Sequence, residues 1–361
     1  MSELSLGDIE QHLSGFVDPL TGNDLMASKA LKNVSLVNGE LRLDIVLGYP
    51  AAGIKDQLSE DIATHLKKLE GINNAEVTVS WVIKPHAVQK NVKPMKGVKN
   101  MIAVASGKGG VGKSTTSVNL ALALQAEGAK VGILDADIYG PSQPTMLGVT
   151  GRPSSPDGKS IMPMEGHGLE VMSVGFLVDE DTPMILRGPM VTQALGQLLN
   201  DTNWGELDYL IIDMPPGTGD IHLTLAQTIP VTGSVIITTP QDIALIDAKK
   251  GLKMFEKVDI PVLGLIENMS LHICSNCGHE EAIFGQGGGK EMAESYGVEF
   301  LGELPLDMSI RVSTDTGVPT VAADPDSQIS TIYRTMARKL AASLSVKAKD
   351  FSAKIPNIVI Q

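Results

Sequence analysis

Residues 107–114 read Gly-Lys-Gly-Gly-Val-Gly-Lys-Ser. The run satisfies G-x-x-x-x-G-K-[ST] at every position. Its surroundings complete the pattern. MIAVAS, residues 101–106, has the character of a buried strand, and STTSVNLALALQAEG, residues 114–128, reads as a helix. A strand that turns through glycines into a helix gathers backbone N–H groups around an anion with no Cβ in the way. The positive end of the helix dipole adds to them. Lys113 is placed to reach the β- and γ-phosphates of a nucleotide, and the Ser114 hydroxyl to bind Mg²⁺. Gly107, Lys108, Gly109, Gly110, Val111, Gly112 and Thr115 complete the phosphate-binding run. A glycine-rich connection with no ligand is the plainer reading, and it leaves the full pattern in its proper context unexplained.

Working outward, short apolar runs recur from Asn100 onward: MIAVAS, KVGILDAD, GLEVMSV, DYLIIDM, GSVIITT, PVLGLIEN and EFLGELP. Runs apolar on both faces are what buried parallel strands look like. Helical patterns separate most of them, for example Ser114 to Glu127 and Ile243 to Lys257. The alternation implies a doubly wound, mostly parallel α/β sheet with right-handed crossovers. Ligands in such sheets bind beyond the carboxyl ends of the strands. Asp135, Asp137 and Asp213 end two of these runs and are expected to face the phosphates. Asp220 follows in the loop after PPGTG. Any of these carboxylates could instead cap a helix or a turn.

Residues 1–83 read differently, as a small α+β domain. Ser2 to Phe16 is a helical pattern. Val34 and Leu36, then Leu41, Leu43, Ile45 and Leu47, alternate around Asn38-Gly39, the signal of a hairpin with a type I′ turn. Leu58, Ile62, Leu66 and Leu69 share a helical face, and Val77, Val79 and Trp81 alternate as a strand. Residues 84–99, KPHAVQKNVKPMKGVK, carry five lysines and two prolines and read as an exposed linker. The main domain is placed at 100–347, with its last helix from about Pro325 to Leu344. A loose tail is expected at 348–361.

Composition narrows the partners. Net charge is −13 and aromatic residues are 4%. A basic face for phosphate backbones and a stacking platform for single strands are both disfavoured, so no nucleic-acid partner is expected. No apolar run approaches the roughly 20 residues that span a bilayer, and the acidic N-terminus lacks the basic region of a signal peptide. The expectation is a cytoplasmic protein without a membrane partner.

The two cysteines of the chain are Cys274 and Cys277. Four readings compete. A redox pair would normally cap a helix, and Gly-His-Glu-Glu after Cys277 is a poor helix start. A zinc site within one chain could add His272 and His279, with cramped spacing. Two buried structural cysteines are a third reading. A metal cluster is the fourth. Two thiolates cannot close a four-ligand site, but a two-fold dimer brings both copies of the pair to one axis. His222 is read as an ordinary solvated or core side chain.

GKGGVGKS resembles the deviant Walker A group of P-loop ATPases that contains MinD, ParA and the nitrogenase iron protein. GKGGVGKST, DADIYGPSQPTMLG, LRGPM, DMPPGTGD, ENMS, and CSNCGH with FGQGGG together resemble the Mrp/ApbC family of iron–sulfur carrier ATPases. DPLTGNDL in the N-terminal segment resembles the small domain tied to iron–sulfur assembly. The resemblance implies a homodimeric ATPase with ATP and Mg²⁺ at each phosphate loop. Lys108 would reach the partner's nucleotide in trans, where the plainer reading is a surface lysine. Asp213 would be the Walker B carboxylate and Asp135 part of the Mg²⁺ shell. Asp137 would position the attacking water. Asn268 would recognise adenine, where the plainer reading is a turn residue. Cys274 and Cys277 of two subunits would bridge one [4Fe–4S] cluster for transfer to apo iron–sulfur proteins, in company with cluster-assembly factors. Hydrolysis is expected to be slow. The alternatives are a positioning ATPase of the MinD/ParA type, or a dimer stapled by zinc.

Overall fold

A computed structural model of the chain describes residues 4–348, apart from 91, 178–187 and 275. The N-terminal unit holds α1 (Leu6–Leu13), β1 (Leu31–Val37), β2 (Glu40–Leu47), α2 (Lys55–Leu66) and β3 (Asn74–Trp81). Asn38 and Gly39 both take positive φ, +53° and +78°, as a type I′ turn demands. β1 and β2 pair antiparallel, and β3 joins β2 in parallel. Leu58, Ile62 and Leu66 are buried on one face of α2. The first helix is shorter than its sequence pattern, because Ser5 caps it with a capping box and Ser14 ends it.

The larger unit runs β4 (Val98–Ser106), α3 (Lys113–Ala126), β5 (Val131–Asp135), α4 (Gln143–Met146), β6 (Met164–Gly166), β7 (Leu169–Ser173), α5 (Gly188–Asp201), β8 (Leu207–Asp213), α6 (Asp220–Thr228), β9 (Gly233–Thr238), α7 (Asp242–Lys257) and β10 (Val262–Glu267). It continues with β11 (His272–Ile273), β12 (Glu280–Glu281), α8 (Gly288–Tyr296), β13 (Phe300–Glu303), α9 (Met308–Asp315), α10 (Thr320–Ala323) and α11 (Gln328–Ser345). Among the described residues the main sheet has eight strands in the order β13-β10-β9-β4-β8-β5-β7-β6. Every neighbouring pair is parallel except β6 with β7. Each of the seven apolar runs contains a strand of this sheet. β4 lies at its centre, so the phosphate run leaves the sheet in the middle of its carboxyl edge. No described helix is long and apolar enough to cross a membrane.

The segment before β4 departs from its expected exposure. His86 and Gln89 are buried. The His86 N–H and ring meet the Asn100 side-chain oxygen at 3.1 and 2.9 Å. Gln89 donates to the carbonyls of Ala226 and Ile229 at 2.7 and 2.6 Å. The lysines and prolines mark a chain that runs over a surface. Two polar side chains nonetheless anchor it by satisfying buried carbonyls. Leu186 and Arg187 of the LRGPM run, and the tail from residue 349, lie outside the described residues.

α3 joins the two units. It is buried continuously from Thr116 to Leu124. Just past its end, Glu127 is fully buried and accepts bonds from Arg334 Nε (2.8 Å), Arg338 Nη1 (2.6 Å) and the Gly53 N–H (2.8 Å). The Glu127 carbonyl takes the Ala52 N–H at 3.1 Å. Gly128 sits under the Trp81 ring, where a Cβ would lie 2.5 Å from a ring carbon, and its carbonyl accepts the indole N–H at 3.4 Å.

Candidate nucleotide and metal site

The phosphate run is shaped by its glycines. A Cβ on Gly107 would lie 2.2 Å from the Asp247 carbonyl carbon, so α7 backbone closes over this position. Gly110 and Gly112 both take φ +82°, a conformation that costs other residues energy. Gly112 is the N-cap of α3 and has no side chain to satisfy the first amides. No acidic residue occupies that helix's first turn. The loop therefore presents uncapped N–H groups and an uncompensated helix dipole, the donor set a phosphate chain requires.

Lys113 is buried, and its ammonium lies 2.5 Å from Asp213 Oδ1 and 2.9 Å from the Ser114 hydroxyl. Asp213, fully buried at the end of β8, also accepts the Ser117 hydroxyl at 2.9 Å and Gln143 Nε2 at 2.9 Å. Gln143 donates as well to the Ser114 carbonyl at 3.1 Å. The Gln143 side-chain oxygen and the Ser142 hydroxyl are buried with no hydrogen-bond partner among the described residues. The orphaned oxygen of the amide that touches Ser114 and Asp213 fits a hydrated cation at this spot, since buried polar groups are normally paired. Mg²⁺ with a nucleotide thus suits the residues present.

Asp135 is fully buried at the end of β5. Its carboxylate accepts the N–H groups of Asp137 (3.2 Å), Ser142 (2.9 Å) and Gln143 (3.1 Å), and the Ser173 hydroxyl (3.1 Å). Here it anchors the 137–143 loop. Burial first, and the negative Asp213 second, push it up to about 7. Asp137 is half-buried beside the same cluster. Burial raises its pKa, while the Lys113 charge works the other way. Lys108 is half-buried on the loop, with no ion pair among the described residues. The structure thus gathers Lys113, Ser114, Asp137 and Asp213, with Asp135 behind them. Asp220 opens α6.

Asn268 follows β10 directly, and its amide lies on the phosphate loop. Nδ2 donates to the Val111 carbonyl at 2.8 Å, and a Cβ on Gly112 would lie 2.2 Å from that nitrogen. The cysteine pair sits on a hairpin of β11 and β12, which pair His272 with Glu281 and Ile273 with Glu280. Cys274 N–H donates to the His279 carbonyl at 2.9 Å, and Gly278 N–H to the Cys274 carbonyl at 2.8 Å. The N–H groups of Asn276 and Cys277 point at the Cys274 sulfur and draw its pKa below the ordinary thiol value. Cys274 is half-buried and Cys277 exposed. His272 is turned to the Leu306 carbonyl, 2.9 Å from its Nδ1. Among the described residues no group of three His, Cys, Asp or Glu side chains converges as a metal site.

A family model described as NUBPL iron-transfer P-loop NTPase matches residues 97–341. The chain belongs to that family. Residues 7–79 match a second family, described as iron–sulfur cluster assembly protein. The chain is 54% identical over 333 residues to the Escherichia coli K12 iron–sulfur cluster carrier protein, covering 92% of this chain and 90% of the relative. Among solved structures it is similar to a nucleotide-binding protein from Archaeoglobus fulgidus in complex with ADP. That likeness has 39% identity and a TM-score of 0.54, over 61% of this chain and 87% of the other. The MinD protein of Pyrococcus horikoshii shares the fold at 23% identity and a TM-score of 0.50, over 66% and 94% of the two chains.

In this NUBPL-type NTPase several contributors escape sequence reasoning. Gln143 lies in the quoted DADIYGPSQPTMLG stretch, but only the folded loop carries its amide to Asp213. Ser117, one turn into α3, had no signal beyond its spacing from Lys113. His222 is buried rather than solvated, and its Nε2–H donates to the Pro215 carbonyl at 2.6 Å. Burial lowers its pKa. Glu267, beside Asn268, is fully buried and takes the Gly287 and Gly289 N–H groups at 2.9 and 2.6 Å.

Proposed function

We propose that this chain is an ATP-hydrolysing carrier whose cargo is a [4Fe–4S] cluster, bridged between two subunits by Cys274 and Cys277 and passed to apo iron–sulfur proteins. The observation that carries the reading is the hairpin. Its turn aims two amides at the Cys274 sulfur, favouring a thiolate, and leaves Cys277 open to a partner. One chain offers two thiolates where a cubane needs four, and a two-fold pair supplies the rest. The family and the named E. coli carrier support the same cargo. The division into a small assembly-related unit (1–83), a connection (84–99), an ATPase unit (100–347) and a tail (348–361) belongs to this proposal.

Within the ATPase unit, Gly107 to Thr115 cradle the phosphates, and Asn268 stands where the base would be read. Ser114 and Asp213 would hold Mg²⁺, with Asp135 in support. When bound, the ion would supply positive charge to neutralise the nucleotide's phosphates. Lys113 neutralises phosphate charge, and Asp137 orients the attacking water. Lys108 reaches the partner's nucleotide. Lys108→Ala should keep nucleotide affinity and lower turnover about a hundredfold, the scale of one lost transition-state donor. Turnover within twofold of wild type would remove Lys108 from the mechanism.

The carrier reading is tested by anaerobic reconstitution with iron and sulfide. Wild type should turn brown and hold about four irons per dimer. The Cys274→Ala/Cys277→Ala protein should hold none. A colourless wild type that binds zinc, or no metal, rejects the cargo assigned here.

A further inference from the structure

We propose that the Asn268 side-chain amide is a relay that carries nucleotide occupancy from the phosphate loop to the hairpin bearing Cys274 and Cys277. The purpose of such a relay rests on the carrier reading above. Its test does not.

The amide grips both ends of the path. Nδ2 donates to the Val111 carbonyl at 2.8 Å, and Oδ1 accepts the Met269 N–H at 2.9 Å. The Val111 carbonyl and the Gly112 N–H belong to one planar peptide unit and point in opposite directions. An anion that draws the loop amides toward itself tilts that plane and displaces the carbonyl that holds Asn268. On the other side stands Met269, a non-glycine residue at φ +60°. Such a conformation persists only where its surroundings over-determine it.

Beyond Met269 the chain has little slack. The Ser270 N–H and hydroxyl both donate to the Leu304 carbonyl, at 3.1 and 3.2 Å. Leu306 N–H donates to the Leu271 carbonyl at 2.8 Å, and His272 reaches the Leu306 carbonyl at 2.9 Å. Cys274 is next but one. The far side of the excursion is pinned as well, because the Glu267 carboxylate holds Gly287 and Gly289. A loop tied at both feet, with one foot resting on the phosphate loop, must move when that loop moves. Asn268 touches no reacting atom of the cargo, so toward the cysteines it is a positioning residue.

The chain has two cysteines, so alkylation by iodoacetamide reports on the hairpin alone. The full-length, metal-free protein is alkylated without nucleotide and with saturating ADP·Mg²⁺, titrated to saturation for each variant. The ratio of the two rates is compared. Wild type should show a change of at least about fivefold, the lower range of coupling between sites. Asn268→Asp keeps the acceptor for Met269 but loses the donor to Val111, and its ratio should fall to near one. A residue that only read the base would lower affinity and leave the saturated ratio intact. Met269→Gly accepts the bend without strain and should also shrink the ratio, because a free joint absorbs the motion. Should Asn268→Asp fail to fold, the glycine variant decides alone. A wild-type ratio near one, or a wild-type ratio retained by the variants, overturns the relay. Failed iron reconstitution alongside an intact ratio would instead reject the cargo and leave the relay standing.

Discussion

Replacing Lys113 by alanine is expected to abolish the proposed ATP hydrolysis and also to weaken the fold. The first effect would follow from removing the cation proposed to neutralise the phosphates. The second follows from what remains. Asp213 is fully buried, and Lys113 is the cation that pairs with it, at 2.5 Å. Breaking a buried ion pair from one side costs about 3–5 kcal/mol, because the surviving charge is stranded. Ser117 and Gln143 still donate to that carboxylate, which places the cost near the low end. A loss of about 3 kcal/mol in a unit of this size lowers the melting temperature by roughly 6–12 °C. Adding Asp213→Asn removes the stranded charge, so Lys113→Ala/Asp213→Asn should recover much of the stability and none of the turnover. A single variant that melts with wild type would refute the stranded-charge account.

Glu127→Ala is expected to loosen the small unit from the ATPase while leaving the phosphate loop in place. Its carboxylate joins Arg334, Arg338 and the Gly53 amide, and no other described acid bonds to those two guanidinium groups. Arg338 is nearly buried and Arg334 a quarter exposed, so water compensates the second better than the first. The expected cost is about 3 kcal/mol, again the lower range for an opened buried pair. Limited proteolysis should cut first between residues 84 and 97, at a rate well above wild type. Glu127→Gln keeps an acceptor without the charge and should fall between the two. Unchanged proteolysis and melting in Glu127→Ala would mean that the two units are held together without the Glu127 carboxylate.

Much of the architecture was legible because it is written locally. The phosphate run is contiguous, the buried strands are continuous apolar runs, and Asn38-Gly39 announces its turn. What escaped is carried by distant or brief interactions. β11 and β12 have two residues each, too few for any periodicity to register, so the cysteine hairpin had no signature beyond the spacing of the pair. β6 joins the sheet edge antiparallel to β7 through a tight turn at His167 and Gly168, both at positive φ. The stretch from Lys84 to Lys99 looked exposed by composition. Its anchors, His86 and Gln89, reach partners that the fold alone supplies. At the site, Asp135, Asp137 and Asp213 were readable as strand-end carboxylates. The engagement of Asp135 with the Ser142 and Gln143 amides, and of Asn268 with Val111, required the folded loops.

The attachment of the small unit at the far end of α3 bears on how this chain can diversify. The helix is sheathed along its length and spans about 21 Å from the phosphate loop to Glu127. Among the described residues, the hydrogen bonds from the small unit to this end of the helix come from the Ala52 and Gly53 amides and the Trp81 indole. Two of the three are main-chain groups, and at Gly53 the fit leaves no room for a Cβ, which would lie 2.4 Å from the Arg334 guanidinium. A substitution on the outer surface of residues 4–83 therefore leaves these fastenings, and the socket on the larger unit, in place.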